Sequence, residues 1–175
     1  DISIMSALEQ QPDNKNFLSP LGFAFRMQRA PHLNYFCQSA TLPTITLTET
    51  QQANPMAELF LPGEHIIFEP FNLRFRIDED MKNYMEIFDW MNALGAPVEQ
   101  QQYAELAAQD IPRGIKSDGT LMVLSSNMNP HIRISFVDLY PTALTPLTFD
   151  TQLADLEYLE AEVVFRYRNF TLTKL

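Results

Sequence analysis

The sequence predicts a mainly β chain with one flanking α-helix, its strands forming an antiparallel barrel or sandwich. Three observations carry this expectation. Seven or so runs alternate apolar and polar residues with the period of a half-buried strand. A single convincing stretch, from about residue 79 to 94, places apolar residues at helical spacing. Twelve prolines against five glycines favour extended segments with proline-marked ends. With 175 residues, 46% of them apolar and 13 of them Phe, the chain is long enough for one hydrophobic core and short for two.

Residues 1–19 read as a polar N-terminal arm that ends at the turn Ser19-Pro20-Leu21-Gly22. Phe23, Phe25 and Met27 then alternate with Ala24, Arg26 and Gln28 as a first strand, which stops before Pro31. A second extended run is expected over Leu33 to Ala40, and a third follows Leu42-Pro43, where Ile45 and Leu47 alternate with threonines. Residues 49–63 hold Asn54-Pro55 and Pro62-Gly63 and read as a long loop. Ile66 to Glu69 is a short extended piece, and Phe71, Leu73, Phe75 and Ile77 form the clearest strand in the chain. It runs into Asp78-Glu79-Asp80 at the expected start of the helix, whose apolar positions are Tyr84, Ile87, Phe88, Met91 and Leu94 before Gly95 stops it. Residues 98–109 read as weakly helical, and Asp118-Gly119 as a turn into a strand over Leu121 to Leu124. After a turn at Asn127 to Pro130, Ile132, Ile134 and Phe136 alternate in a strand expected to close at Tyr140-Pro141. A Pro- and Thr-rich connection over 141–157 leads to a last, two-faced strand in which Ala161, Val163, Phe165 and Tyr167 alternate with Glu162, Val164, Arg166 and Arg168.

Charge narrows the function classes. Twelve Lys and Arg against 22 Asp and Glu give a formal −10, so a broad basic face that neutralises phosphates is not expected. The single cysteine, Cys37, rules out an intrachain disulfide framework and reads as a buried, inert thiol suited to a reducing interior. The first residues carry neither a basic region nor a long apolar run, so no secretion signal is expected there. Apolar stretches run only a few residues, against the roughly 20 that a membrane-spanning helix needs.

Few residue groups carry a chemical signal. Asp78, Glu79 and Asp80 could hold a divalent cation or supply an acid and a base, but carboxylates at a helix start ordinarily satisfy free N–H groups and oppose the macrodipole. They are read as structural, and no metal site is assigned. His32, His65 and His131 lack the paired spacing of metal ligands, no serine sits in a glycine elbow, and no phosphate loop or dinucleotide fingerprint is present. No catalytic residue and no cofactor is expected. Arg74, Arg76, Arg166 and Arg168 lie on the polar faces of two strands, with Glu160 and Glu162 beside them. They form either a solvated face of weak ion pairs or an interface where arginine meets a neighbour's carboxylates.

The order of these pieces resembles a known family. The run from Leu33 through Tyr35, Phe36 and Cys37 to Leu42-Pro43 resembles the segment that begins the tail tube proteins of contractile-tailed bacteriophages. Pro62-Gly63-Glu64 to Phe71 is similar to their entry into a central strand. Asn72 to Tyr84, continuing to Ile87-Phe88-Asp89-Trp90, resembles the strand, acidic turn and Trp-bearing helix shared by tube proteins and the baseplate proteins that start the tube. Ile132 to Pro141 and Glu160 to Arg168 resemble the family's last strand pair. The likeness spans residues 20–168 as one tube-like β domain. The arm and the stretch from Val98 to Lys116 match less well, and residues 169–175 run on as a C-terminal extension.

The resemblance implies a structural virion protein of the phage tail, assembled in the bacterial cytoplasm. It implies six-fold rings of identical subunits, stacked as a hollow tube inside a contractile sheath. The partners implied are adjacent tube or baseplate rings, the tail sheath protein, and DNA passing through the lumen without specific binding; no membrane is implied. An alternative is a single ring at a tube end, either the baseplate junction or the terminator. A more distant alternative is a small β-barrel hydrolase or binding module using Asp78, Glu79 or Asp80. An acidic excess suits a duct for DNA, since cationic walls would hold phosphates. The loop from Glu49 to Gly63 and the two terminal segments are the expected ring-to-ring contacts. Arg74, Arg76, Glu160, Glu162, Arg166 and Arg168 are the expected inter-subunit or lumen-facing residues.

Overall fold

The computed structural model describes residues 15–53, 56–95, 100–108, 114–150 and 158–175. Most of the expected N-terminal arm and residues 151–157 of the expected Pro- and Thr-rich connection lie outside them. In chain order the elements are β1 (Phe23–Met27), α1 (Pro31–Phe36), β2 (Cys37–Thr41), β3 (Ile45–Gln52), β4 (Leu59–Phe68), β5 (Phe71–Arg76), α2 (Lys82–Gly95), α3 (Gln100–Ala108), β6 (Ser117–Leu124), β7 (Pro130–Leu144), β8 (Glu160–Arg166) and β9 (Asn169–Lys174).

β7 organises the architecture. Its first part pairs with β6 and with β9, and its last part, from Tyr140 to Leu144, pairs with β8. The strand therefore belongs to two antiparallel sheets, one running β1-β6-β7-β9 and the other β7-β8-β5-β2. Between the two pairings Asp138 takes a left-handed φ of 59°, which bends the strand from one sheet into the other. The ends of the path, β1 and β2, share no ladder, so the mainly antiparallel β class holds while the sheet is not closed into a barrel.

The core lies between the inner faces of these sheets. Alternation delivers Phe25, Phe71, Leu73, Phe75, Phe136, Val163 and Phe165 into it, all essentially solvent-free. Phe71 is the hub, with ring centroids 4.5 Å from Phe136, 5.6 Å from Phe25 and 6.3 Å from Phe165. α2 covers one side with Ile87 and Trp90, and the Trp90 indole donates to the Ile115 carbonyl at 3.0 Å.

Several expectations are corrected here. Leu33 to Phe36 is helical rather than extended. Pro31 occupies the first turn of α1, where its missing N–H costs nothing, and the Asn34 side chain accepts from Met27 N at 2.8 Å and donates to Met27 O at 3.2 Å, completing the end of β1 as a strand partner would. Residues 49–63 are not a loop: Glu49 pairs with Pro62 and Gln52 with Leu59, so most of this stretch is the outer half of a β3–β4 hairpin. Asp118-Gly119 lies inside β6 at a register shift rather than in a turn. β7 does not close at Pro141 but continues to Leu144, with the proline next to another shift. Residues 169–174 are not an appendage but β9, laddered on β7 from Ile132 to Val137. The helix starts at Lys82, three residues later than expected. Asp78 and Asp80 lie in the turn before it, and the buried Asn83 makes the junction: its Nδ2 donates to Arg76 O at 2.7 Å, and its Oδ1 accepts from Tyr84 N at 2.9 Å and from Asp78 N at 3.3 Å. Residues 100–108, within the stretch read as weakly helical, are helical as α3.

Candidate functional site

Two surfaces stand out. The first is the outer face of the β8-β5-β2 sheet. Because Leu73, Phe75, Ala161 and Val163 point inward, Arg74, Arg76, Glu160 and Glu162 must point outward. Antiparallel register then sets Arg74 opposite Glu162 and Arg76 opposite Glu160. Arg76 Nε lies 3.6 Å from Glu160 Oε1, and its guanidinium stacks 5.2 Å from the Tyr158 ring centre. Both charges of that pair are well exposed, so it contributes little to stability. Asn72 on the same face is the one residue among those described with a buried side-chain polar atom, Oδ1, that lacks a hydrogen-bond partner. It sits in a small cleft with Ser39, Thr41, Arg74 and Glu162.

The other two arginines separate from this patch. Arg166 Nη1 donates to Phe68 O at 3.4 Å, at the foot of the hairpin. Arg168 lies past the end of β8 in the bend toward β9, exposed, with its backbone N–H donating to Val137 O. Among the described residues, only Asp80 of Asp78, Glu79 and Asp80 makes an ion pair, with Lys82 Nζ at 2.7 Å; the hydrogen bond and charge of Lys82 hold the Asp80 carboxyl below its usual range. Asp78 and Glu79 flank an apolar cleft lined by Tyr35, Phe36, Ile77, Met81 and Tyr158. Among the described residues no group of His, Cys, Asp and Glu could hold a metal ion. Burial raises the Cys37 thiol to about 11, which suppresses the thiolate that a nucleophile requires.

The second surface is the hairpin, which the residue-by-residue reading missed as a structural element. β3 and β4 form a separate two-stranded sheet, and nearly every residue in it is exposed. The exposed residues include Ile45, Leu47, Leu59, Phe60, Leu61, Ile66 and Ile67, on both faces. An isolated two-stranded hairpin is only marginally stable in water, and a contiguous apolar surface of this kind marks an interaction site. The available signal was the apolar triplet Leu59-Phe60-Leu61 opposite the β-prone stretch from Ile45 to Gln52. At mid-length Thr48 Oγ1 donates to His65 O at 3.1 Å and accepts from His65 N at 3.3 Å, and Gly63 lies so close to the Thr48 backbone that a Cβ would collide with it. Among the described residues no helix is long and apolar enough to cross a membrane.

Comparison with solved structures places this fold. A chain of the sheath-tube complex of the extracellular contractile injection system PVC in its extended state superimposes with a TM-score of 0.61, at 14% identity over 92% of this chain and 94% of that one. A chain of the anti-feeding prophage baseplate gives 0.58 at 12% identity over 86% and 90%. A chain of the anti-feeding prophage tube terminating cap gives 0.59 at 12% identity over 98% and 100%. At these identities the likeness is one of fold. No curated protein sequence matches this one significantly. The pattern that defines the phage tail tube protein family matches residues 4–173, nearly the whole chain. By that match this chain belongs to the phage tail tube protein family.

Proposed function

We propose that the chain is the repeated structural subunit of a contractile-tail tube: six copies close into a ring, rings stack inside a sheath, and the bore conducts DNA during ejection. The observation that carries this reading is the β3–β4 hairpin. A family member that holds a long apolar hairpin away from its core has a surface that a single copy leaves exposed. A contact between that surface and a different surface of the next copy is heterologous, and heterologous contacts generate rings or stacks. The charged outer face carrying Arg74, Arg76, Glu160 and Glu162 is assigned to the neighbouring subunit or the bore. The net charge of −10 suits a passage that does not retain phosphates. In this role the chain uses no catalytic residue.

A second reading, a single ring at a tube end, is supported by the match to a chain of the anti-feeding prophage cap along nearly the full length of both chains. Electron microscopy of the purified protein separates the two. Long tubes of uniform diameter are the expected result, rings that never stack favour the tube end, and a monomer that persists at high concentration overturns both.

A further inference from the structure

We infer that Tyr167, at the bend between β8 and β9, is a positioning residue that sets the direction in which the β3–β4 hairpin leaves the body of the subunit. The inference rests on the reading of that hairpin as an assembly contact. Among the described residues β3 and β4 pack at length only on each other, so their orientation is decided at the foot. There the strands are closed by Glu69 N donating to Thr44 O at 3.1 Å, and both connections to the body pass through a proline, Pro43 or Pro70.

Beyond that closure the foot is held from one side. The Tyr167 hydroxyl donates to Glu69 O at 2.8 Å, and Arg166 Nη1 donates to the preceding carbonyl, Phe68 O, at 3.4 Å. The Phe68 ring lies 5.9 Å from Tyr167 and 5.8 Å from Phe170. Tyr167 in turn packs edge-on against Phe136 at 5.2 Å, a ring with essentially no exposure. One side chain thus touches both the foot of the hairpin and the rigid core. Burial pushes the Tyr167 phenol up to about 12, so it remains a protonated donor throughout the neutral range.

Leverage makes the foot matter. The eight residues of β3 span roughly 27 Å at about 3.4 Å per residue, so a tilt of about 10° at the foot carries the tip about 5 Å. A displacement of that size abolishes the close packing that a specific interface requires.

The test compares the intact protein with Tyr167→Phe, which keeps the ring and removes the donor, Tyr167→Leu, which removes both, and Phe60→Lys at the hairpin tip. Hydrogen exchange is followed at the amides of residues 66–69 and of β5 and β8 in dispersed protein, and the critical concentration for rings or tubes is measured by light scattering. In Tyr167→Phe, exchange at residues 66–69 and the critical concentration should each rise about five- to tenfold, the size of one lost hydrogen bond, while β5 and β8 stay protected. Tyr167→Leu should exceed both. Unchanged exchange at the foot in Tyr167→Phe overturns the inference, as does an equal rise in β5 and β8, which would mark a merely structural role. If Phe60→Lys blocks assembly while both Tyr167 variants assemble normally, the positioning role falls and the proposed function stands. If Phe60→Lys assembles normally, the hairpin reading falls, and exchange at residues 66–69 alone decides whether Tyr167 holds the foot.

Discussion

Gly119 is the residue whose sequence reading and structural role differ most. Beside Asp118 it looks like a turn signal, yet it sits in β6, and a Cβ there would lie 2.5 Å from Leu139 Cδ1 and 3.3 Å from the Phe25 ring. Leu139 and Phe25 are both buried, so neither can swing aside into solvent. Gly119→Ala should therefore destabilise the subunit. Overpacking costs about 1–3 kcal/mol, and the stiffer unfolded chain returns about 0.4–1, leaving a net loss of about 1 kcal/mol. Trp90, the single tryptophan and a buried one, reports unfolding by its fluorescence, so a lower urea midpoint than the parent's is the expected observation. Two other residues set an alkaline limit. Burial raises Cys37 from 9.0 to about 11, and burial raises Tyr167 from 10.0 to about 12 against the opposing charge of Arg166, with Glu69 adding the smallest push upward. Below pH 9 both groups are protonated whether the chain is folded or not, and they add no pH dependence. From about pH 9 to 12 the unfolded chain releases these protons first, so the folded state holds more protons and stability falls as pH rises. A thermal midpoint that declines across that window, and declines less in Cys37→Ala, is the expected result.

At the scale of elements, β9 changes what truncation should do. Residues 169–175 read as an extension, and removal of an extension would be harmless. β9 instead satisfies the β7 edge from Ile132 to Val137, and the Phe170 ring packs, tilted, 5.6 Å from Phe136. A chain ending at Arg168 should lose about 2–4 kcal/mol, seen as a fall in the urea midpoint. The elements legible in the sequence were those with one face on the core. β1, β5 and β8 alternate cleanly because a buried side enforces period two. The β3–β4 hairpin has no face on its own core, so only part of β3 carried a visible alternation, and Pro62 and Gly63 read as breakers. α1 was hidden because six residues are too few for helical periodicity, and its formation depends on the bonds of Asn34 to Met27. The outward direction of Arg74 and Arg76 was readable from alternation. Their partners were not, because the pairing with Glu162 and Glu160 depends on the register of strands far apart in sequence. The acids at 78–80 were visible as a cluster, whereas the buried Asn83 that makes the strand-to-helix junction looked like an ordinary polar helix residue.

For the whole molecule, charge is the dominant long-range term. The chain carries a formal −10, and in the proposed assembly packing identical copies together concentrates that charge. The Debye length shrinks from about 8 Å at 0.15 M salt to about 3 Å at 1 M, so added salt relieves repulsion between subunits. The critical concentration for assembly should fall as NaCl rises from about 0.05 to 0.5 M, several-fold by light scattering, and a rise would show that attractive ion pairs govern the contact instead. Under the same conditions a DNA duplex should migrate unshifted beside the protein.

The path of β7 has a mechanical consequence. One uninterrupted 15-residue strand is the covalent member common to both sheets, so a load on the β1-β6 side reaches the β5-β2 side largely through its backbone. Along its ladders that load acts as shear, which strains many hydrogen bonds together instead of peeling them one at a time. The weak point is then the bend at Asp138, where the β9 ladder ends at Val137 and the β8 ladder begins at Tyr140. Yielding should begin there, as a change in angle between two intact sheets.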